Sequence, residues 1–341
     1  MSEVLPEFPD LEQLRRQAKE LHRAVQAGHP PAEAELAKVS SRTDLSSAQL
    51  AVARRYGFAS WSRLRLEVER KNMIHHGDIE GLRSLVTDHP KLALDPVSSC
   101  FGNDSALGYL GVAHFHGVAT HDRTGEMAAV LINAGGASDG PAGTAEAPLV
   151  TAASYGEVDM VRVLIEAGAD LEAKGSAVPG GTALAHAVEF GNAEVVDMLA
   201  AAGATARTLV EAAGVGNLAG FTLPDLPIGL RAQACRAAAV CERLETLDLL
   251  LGSGVPVDAD PETGQANGSR TLLHEAAYWG KPRSVHHLLA LGADPDRCDN
   301  EYGATPLGWC RHRIAEIDGF GPHLLEGHRR VEGILEPVTT A

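Results

Sequence analysis

The sequence predicts an all-α solenoid of stacked helix pairs behind a helical N-terminal cap, and three observations carry that prediction. One line of text recurs along the 341-residue chain: Ala147-Pro148-Leu149-Val150-Thr151-Ala152-Ala153-Ser154-Tyr155-Gly156, then Thr182 to Gly191, then Thr271 to Gly280. Each copy is followed by a second apolar helix pattern and a glycine stop, at Gly168, Gly203 and Gly292, where a helix C-cap calls for the left-handed conformation. Aromatic residues make up only 4% of the chain while glycines number 36, as close-packed small-residue helices joined by tight turns require.

Residues 1–72 read as the cap. Asp10 caps a helix over Leu11 to Ala27, whose apolar positions Leu11, Leu14, Ala18, Leu21 and Val25 fall at helical spacing until Gly28-His29-Pro30-Pro31 stops it. Shorter helices are predicted near Ala32 to Val39, Ser46 to Tyr56 and Ser60 to Asn72. Gln49 to Leu64 superficially matches a helix-turn-helix. Gly57 and Trp61 equally suit a cap over the first repeat, with Arg54, Arg55, Arg63 and Arg65 solvated. Residues 73–341 read as about seven repeated units, some irregular. A degenerate first unit covers Asn72 to Leu94, and others begin at Ser105, Ala147, Thr182, Thr271 and Thr305. Between Gly203 and Gly254 a truncated unit is predicted from Thr208 and another from Ala234. Irregularity is expected at His114 to Gly125 and at Phe221 to Gly229, where Pro224 and Pro227 forbid regular helix.

The openings, best kept at Thr271 to Glu275 and Thr305-Pro306-Leu307-Gly308-Trp309, and the Gly-Ala-Asp endings resemble ankyrin repeats over residues 73 to 337. Gly136, Gly168, Gly203, Gly254 and Gly292 stand 32, 35, 51 and 38 residues apart, against a repeat of about 33 in that family. The resemblance implies a recognition scaffold whose partner is set by variable surface residues. It also implies which side chains face the groove: the residue after the motif's histidine position and the two before the helix-breaking glycine, on one face of the first helix. Unit by unit these are Thr151, Ser154 and Tyr155; His186, Glu189 and Phe190; Glu211, Gly214 and Val215; Ala237, Val240 and Cys241; Glu275, Tyr278 and Trp279; Trp309, His312 and Arg313. Tyr109 takes the same face of the second unit, and His274 takes the motif's own histidine position, where its ring ties neighbouring turns.

Tyr109, Tyr155, Phe190, Tyr278, Trp279 and Trp309 thereby fall on one stripe of a chain poor in aromatics, and such rings anchor interfaces when they are not packed as core. The expected function is recognition of a protein or small ligand in the concave groove. The ligand-binding candidates are Tyr109, His114, His116, Tyr155, Glu189, Phe190, Tyr278, Trp279, Trp309 and His312. The alternative is a cofactor-free enzyme of cyclase, isomerase or dehydratase type, with His186, Glu211 and Glu275 as acid-base groups on a small organic substrate. It requires those groups to meet in a closed pocket. His114, His116 and His121, with Asp122 and Cys100, match no specific metal spacing, so no metal is expected and the histidines read as loop surface or groove rim. No GxxxxGKS/T, GxGxxG after a strand, GxSxG, HExxH or CxxC motif is present, and no cofactor is expected.

Net charge is −16. Residues 1–72 hold 12 basic and 10 acidic side chains, leaving 17 basic and 35 acidic for the repeats. A surface of that sign repels phosphate backbones, so nucleic acid is not expected as a partner. No apolar run is long enough to span a bilayer and the N-terminus is acidic and proline-broken, so a soluble protein without a membrane partner is expected. Five cysteines without a CxxC pair read as free thiols of a cytoplasmic protein.

Overall fold

The computed structural model describes residues 3–100, 105–142, 146–175, 178, 180–266, 269–318 and 322–340. Among them the chain is helical, without strands, and a single antiparallel bridge joins Lys174 to Thr182. The fold is an all-α solenoid of helix pairs, divided into two compact units: Met1–His114 with Val118–Thr144, and Phe115–Gly117 with Ala145–Ala341.

Unit 1 contains α1 (Leu11–Gln26), α2 (Pro30–Ala37), α3 (Leu45–Arg55), α4 (Trp61–His76), α5 (Ile79–Asp88), α6 (Lys91–Leu94), α7 (Ala106–Phe115, entering unit 2 at its last residue) and α8 (Thr124–Asn133). Side-chain caps start the long helices: Asp10, Asp44 and Ser60 accept the N–H of Glu12, Ser47 and Arg63. One apolar cluster joins Leu5, Leu14, Val52 and Val68, and a second joins Leu21, Val25, Leu36 and Ala48.

Helix α4 runs on past the residue 72/73 boundary expected between cap and repeats and stops at Gly77, where φ is 68°. Four of its polar side chains, Glu67, Arg70, Lys71 and His75, belong to the interior. Arg70, without solvent exposure, pairs with Glu67 and donates from its two terminal nitrogens to the carbonyls of Leu92, Asp95 and Pro96, while its Nε has no hydrogen-bond partner among the described residues. The interruption expected over His114 to Gly125 is shorter in the structure, because α7 continues to Phe115 and α8 begins at Thr124. The N–H groups of Val118 and Ala119 both return to the Ala113 carbonyl at 2.9 Å. His121 Nε2 donates to Ile74 O at 2.6 Å, and Arg123 donates to Gly77 O at 3.0 Å, which fastens this turn to the end of α4.

Unit 2 stacks the pairs α9/α10 (Pro148–Tyr155, Val158–Glu166), α11/α12 (Ala183–Glu189, Ala193–Ala202), α14/α15 (Ile228–Val240, Leu244–Gly252), α16/α17 (Leu272–Tyr278, Pro282–Ala290) and α18/α19 (Pro306–Ile317, Pro322–Leu335). Thr182, Thr271 and Thr305 cap α11, α16 and α18 by accepting the N–H three residues on. Helix α13 (Leu209–Val215) has no second helix of its own and packs against α11, α12 and α14. The chain after it makes a 3-10 turn at Leu223–Asp225, as the prolines there dictate. In the regular units the first helices are largely buried; in α16 Leu272, Leu273, Ala276 and Ala277 are unexposed and His274 and Glu275 are buried beside them.

Candidate recognition site

Three first helices of unit 2 end alike. Gly156, Gly191 and Gly280 adopt φ of 73°, 66° and 62°, a conformation that favours glycine and terminates the helix. The ring immediately before each glycine therefore has no further turn to pack on. Those rings are Tyr155, Phe190 and Trp279, and all three line one cavity of about 560 Å³, within the roughly 300–1,000 Å³ of ligand sites.

The cavity wall is an aromatic surface with a cation at one edge. Phe115 stacks on Tyr155 with centroids 4.1 Å apart and planes at 21°. Phe190 meets Trp279 edge to face at 5.9 Å, and Trp279 meets Tyr278 at 5.3 Å. The Arg313 guanidinium lies 5.1 Å from the Tyr278 ring centre and 5.9 Å from that of Trp279, while pairing with Glu316 at 3.0 Å. Each such ring contact contributes about 0.5–1.5 kcal/mol beyond its buried area.

Behind the rings, side-chain donors meet carbonyls that the helix ends leave over. Asn192 Nδ2 donates to Ala153 O at 2.8 Å and Ser154 O at 3.0 Å. Lys281 Nζ donates to Gly191 O at 2.6 Å, and His328 Nε2 to Tyr278 O at 2.9 Å. Asn192 and Lys281 each follow the left-handed glycine of their own unit, so one sequence position performs one task twice.

Of the residues expected on the groove, His116, Tyr155, Phe190 and Trp279 come together here. Tyr278, Trp309 and His312 line a second cavity of about 490 Å³ with Tyr302, and Glu316 borders both. Glu189 forms an ion pair with Arg236 at 3.1 Å. His114 belongs to unit 1, 3.8 Å from Asp122. Tyr109, expected on the same stripe, lies instead in the interior of unit 1 with no exposure. Its hydroxyl donates to the Glu7 carboxylate, and His75 Nε2 is 2.6 Å away. Burial, then the neighbouring Glu7, pushes that hydroxyl well above the ordinary tyrosine range. The first residue of five of the six groove triplets is also interior: Thr151, His186, Glu211, Ala237 and Glu275 are buried, and Trp309 is not.

The acid-base set is not assembled. His186 Nδ1 is 2.7 Å from Ser154 Oγ, whose single proton has an acceptor in Val150 O at 2.9 Å. If the Ser154 proton goes to Val150 O, the imidazole proton is on Nδ1, donating to Ser154; Nε2 is buried and has no hydrogen-bond partner among the described residues. Burial depresses this imidazole's pKa, which keeps it neutral. Glu211 is the return half of the α13 capping box, accepting from Arg207 N at 2.6 Å and Thr208 N at 2.9 Å. Glu275 is held between Arg236 at 2.8 Å and Arg270 at 2.7 Å. Among the described residues, no hydrogen bond or ion pair joins His186 to either carboxylate. His274 does tie turns, its Nε2 lying 3.1 Å from Ala304 O. Among the described residues, no cluster of histidine, cysteine and carboxylate side chains could hold a metal, and the five cysteines are free thiols.

Sequence reasoning missed Phe115, Asn192, Lys281, Glu316 and His328 as cavity residues. For Asn192 and Lys281 the usable signal was their register, one residue past the helix-breaking glycine.

Comparison with known proteins follows the same lines. The family model of ankyrin repeats in three copies matches residues 115–208, and the model of the single ankyrin repeat matches residues 269–300. The crystal structure of the human ASB11 ankyrin repeat domain is similar at 20% identity over 72% of this chain and 90% of that chain, with a TM-score of 0.36. No curated protein matches. Among the described residues, no helix is long and apolar enough to cross a membrane.

Proposed function

The chain is an ankyrin-repeat protein and hence a protein-interaction module, and from that premise we propose that it receives its partner in the aromatic cavity of unit 2. The observation that carries this reading is the gathering of Tyr155, Phe190 and Trp279 on one cavity wall, beside an arginine stacked on the rings. Large rings that remain partly exposed around a recess are the residue types that anchor interfaces. An apolar side chain of the partner fills the recess, and Arg313 with Glu316 forms a polar rim. Selection of a displayed random-peptide library on the purified protein tests the reading. The Phe190→Ala/Trp279→Ala double variant should bind the enriched peptides about 100-fold more weakly, a loss of hot-spot size. Leu249→Ala, at a residue that is 63% exposed on α15, should bind as the parent does. Equal binding by all three proteins would place recognition elsewhere.

A further inference from the structure

The charge on this wall narrows what can occupy it. Glu316 is the one carboxylate lining the cavity among the described residues, and it is already engaged by Arg313 at 3.0 Å, His312 at 3.2 Å and the Tyr278 hydroxyl at 3.4 Å. Lys281 also lines the cavity, half-buried, and has no carboxylate within ion-pair distance among the described residues. Among the described residues its one hydrogen bond is to Gly191 O, the carbonyl of the residue after Phe190, and Trp279 lies two residues before it. The ammonium is thus tied to the end of α11, at the residue after Phe190, whose ring meets that of Trp279. Burial holds its pKa below the ordinary lysine value, and the nearby Cys241 and Glu242 offset that only in part. The Glu242 carboxylate accepts the Arg283 N–H at 2.9 Å, and burial pushes the Cys241 thiol up to about 11, so it stays protonated. A half-buried ammonium bonded to a carbonyl rather than to a carboxylate is under-compensated until an anion joins it.

We infer, resting on the reading above, that the segment bound here carries a carboxylate side chain next to its apolar anchor. The anchor lies on Phe190 and Trp279, and the carboxylate meets Lys281. The occupant is therefore an acidic-apolar stretch of a protein partner, able to approach a protein of net charge −16 because the cation is confined to this recess.

Two dyes with one ring system separate charge from shape: anilinonaphthalene sulfonate, an anion, and phenylnaphthylamine, its uncharged counterpart. Lys281→Gln removes the charge but keeps an N–H donor for Gly191 O, and Lys281→Arg keeps the charge. The expected result is that Lys281→Gln weakens the anionic dye about tenfold and the neutral dye by less than about twofold, with Lys281→Arg close to the parent. Phe190→Ala should weaken both. An equal effect of Lys281→Gln on both dyes, with Phe190→Ala still weakening both, would overturn the anion while leaving the aromatic site standing. Indifference of both dyes to Phe190→Ala would remove the site itself. Thermal midpoints of the variants confirm that folded protein is compared. Peptides enriched by the parent should carry Asp or Glu beside a large apolar residue, and Lys281→Gln should enrich apolar sequences without the acid. An acid-free consensus from the parent would also overturn the inference.

Discussion

Tyr109 in unit 1 and Trp279 in unit 2 take the same face of their repeats in sequence, and the structure treats them in opposite ways. Trp279 stays at a cavity wall, with Phe190 and Tyr278 as ring neighbours. Tyr109 meets polar groups at its hydroxyl: Glu7 accepts from it and from Lys71 at 3.1 Å, while His75 Nε2 stands 2.6 Å from the same hydroxyl oxygen. The difference comes from a short stretch before α1. Glu7 reaches over the position that the groove stripe would have left open, so a ring that reads as an anchor becomes the centre of a buried network. Burial alone would raise the Glu7 carboxyl, but the Tyr109 hydroxyl and the Lys71 ammonium outweigh it and hold its pKa below the ordinary value. A repeat position specifies where a side chain is presented; what lies over it is decided by chain from outside the repeat.

Removing the cover from unit 1 gives the largest effect that this contrast predicts. Glu7→Ala leaves Lys71, which has no exposed side-chain area, with only the carbonyls of Pro6 and Ser98. Breaking such a pair on one side should lower unfolding free energy by about 3 kcal/mol, read as a shift of the urea midpoint. Peptide and dye binding at the unit 2 cavity should persist in the folded variant. The double change Phe190→Ala/Trp279→Ala should show the reverse pattern, binding lost first and stability reduced less. If both variants lost stability equally and kept binding, the two regions would not differ in kind.

Acid sharpens the same comparison. Burial first, then the nearby Lys71 charge, pulls the His75 imidazole from 6.5 down to about 4. As pH falls the unfolded chain takes up this proton before the folded one does. Stability from His75 is therefore complete above about pH 6.5 and drains away toward pH 4, to a total on the order of 3 kcal/mol. His75→Gln should flatten that part of the urea-midpoint profile. A parent profile with no slope across this window would mean that the imidazole is not held neutral by the fold.

The helix pairs were legible because their signals are local. Asp10, Ser60, Thr182, Thr271 and Thr305 each cap a helix through a bond to a residue two or three positions on, and the left-handed glycines close helices within one turn. Tyr155, Phe190 and Trp279 were legible for the same reason, since each stands next to such a glycine. Glu7 was not. It lies in a proline-broken stretch, and its partners Cys100 and Tyr109 are 93 and 102 residues away. Glu211 and Glu275 misled in another way: a carboxylate on a predicted groove face looks available, but Glu211 is spent on the local Thr208 capping box, and the two arginines that hold Glu275 include Arg236, 39 residues back. Lys281 was hidden because its acceptor, Gly191 O, lies 90 residues back.

The smallest effect concerns the Ser154–His186 pair, where the contrast between a structural and a reactive hydroxyl can be decided. A serine nucleophile would need its proton directed at the imidazole, so that the ring could remove it. Here the hydroxyl also contacts Val150 O at 2.9 Å, inside its own helix. If that carbonyl takes the proton, Ser154 accepts from His186 Nδ1–H, and Ser154→Ala removes two part-buried hydrogen bonds at a cost of about 1–2 kcal/mol. Nitrogen chemical shifts of His186 should then report a neutral ring protonated on Nδ1 in the parent. A ring protonated on Nε2 would reverse the direction of the bond, aim the hydroxyl proton at Nδ1, and turn the serine that borders the unit 2 cavity into a candidate for chemistry rather than support.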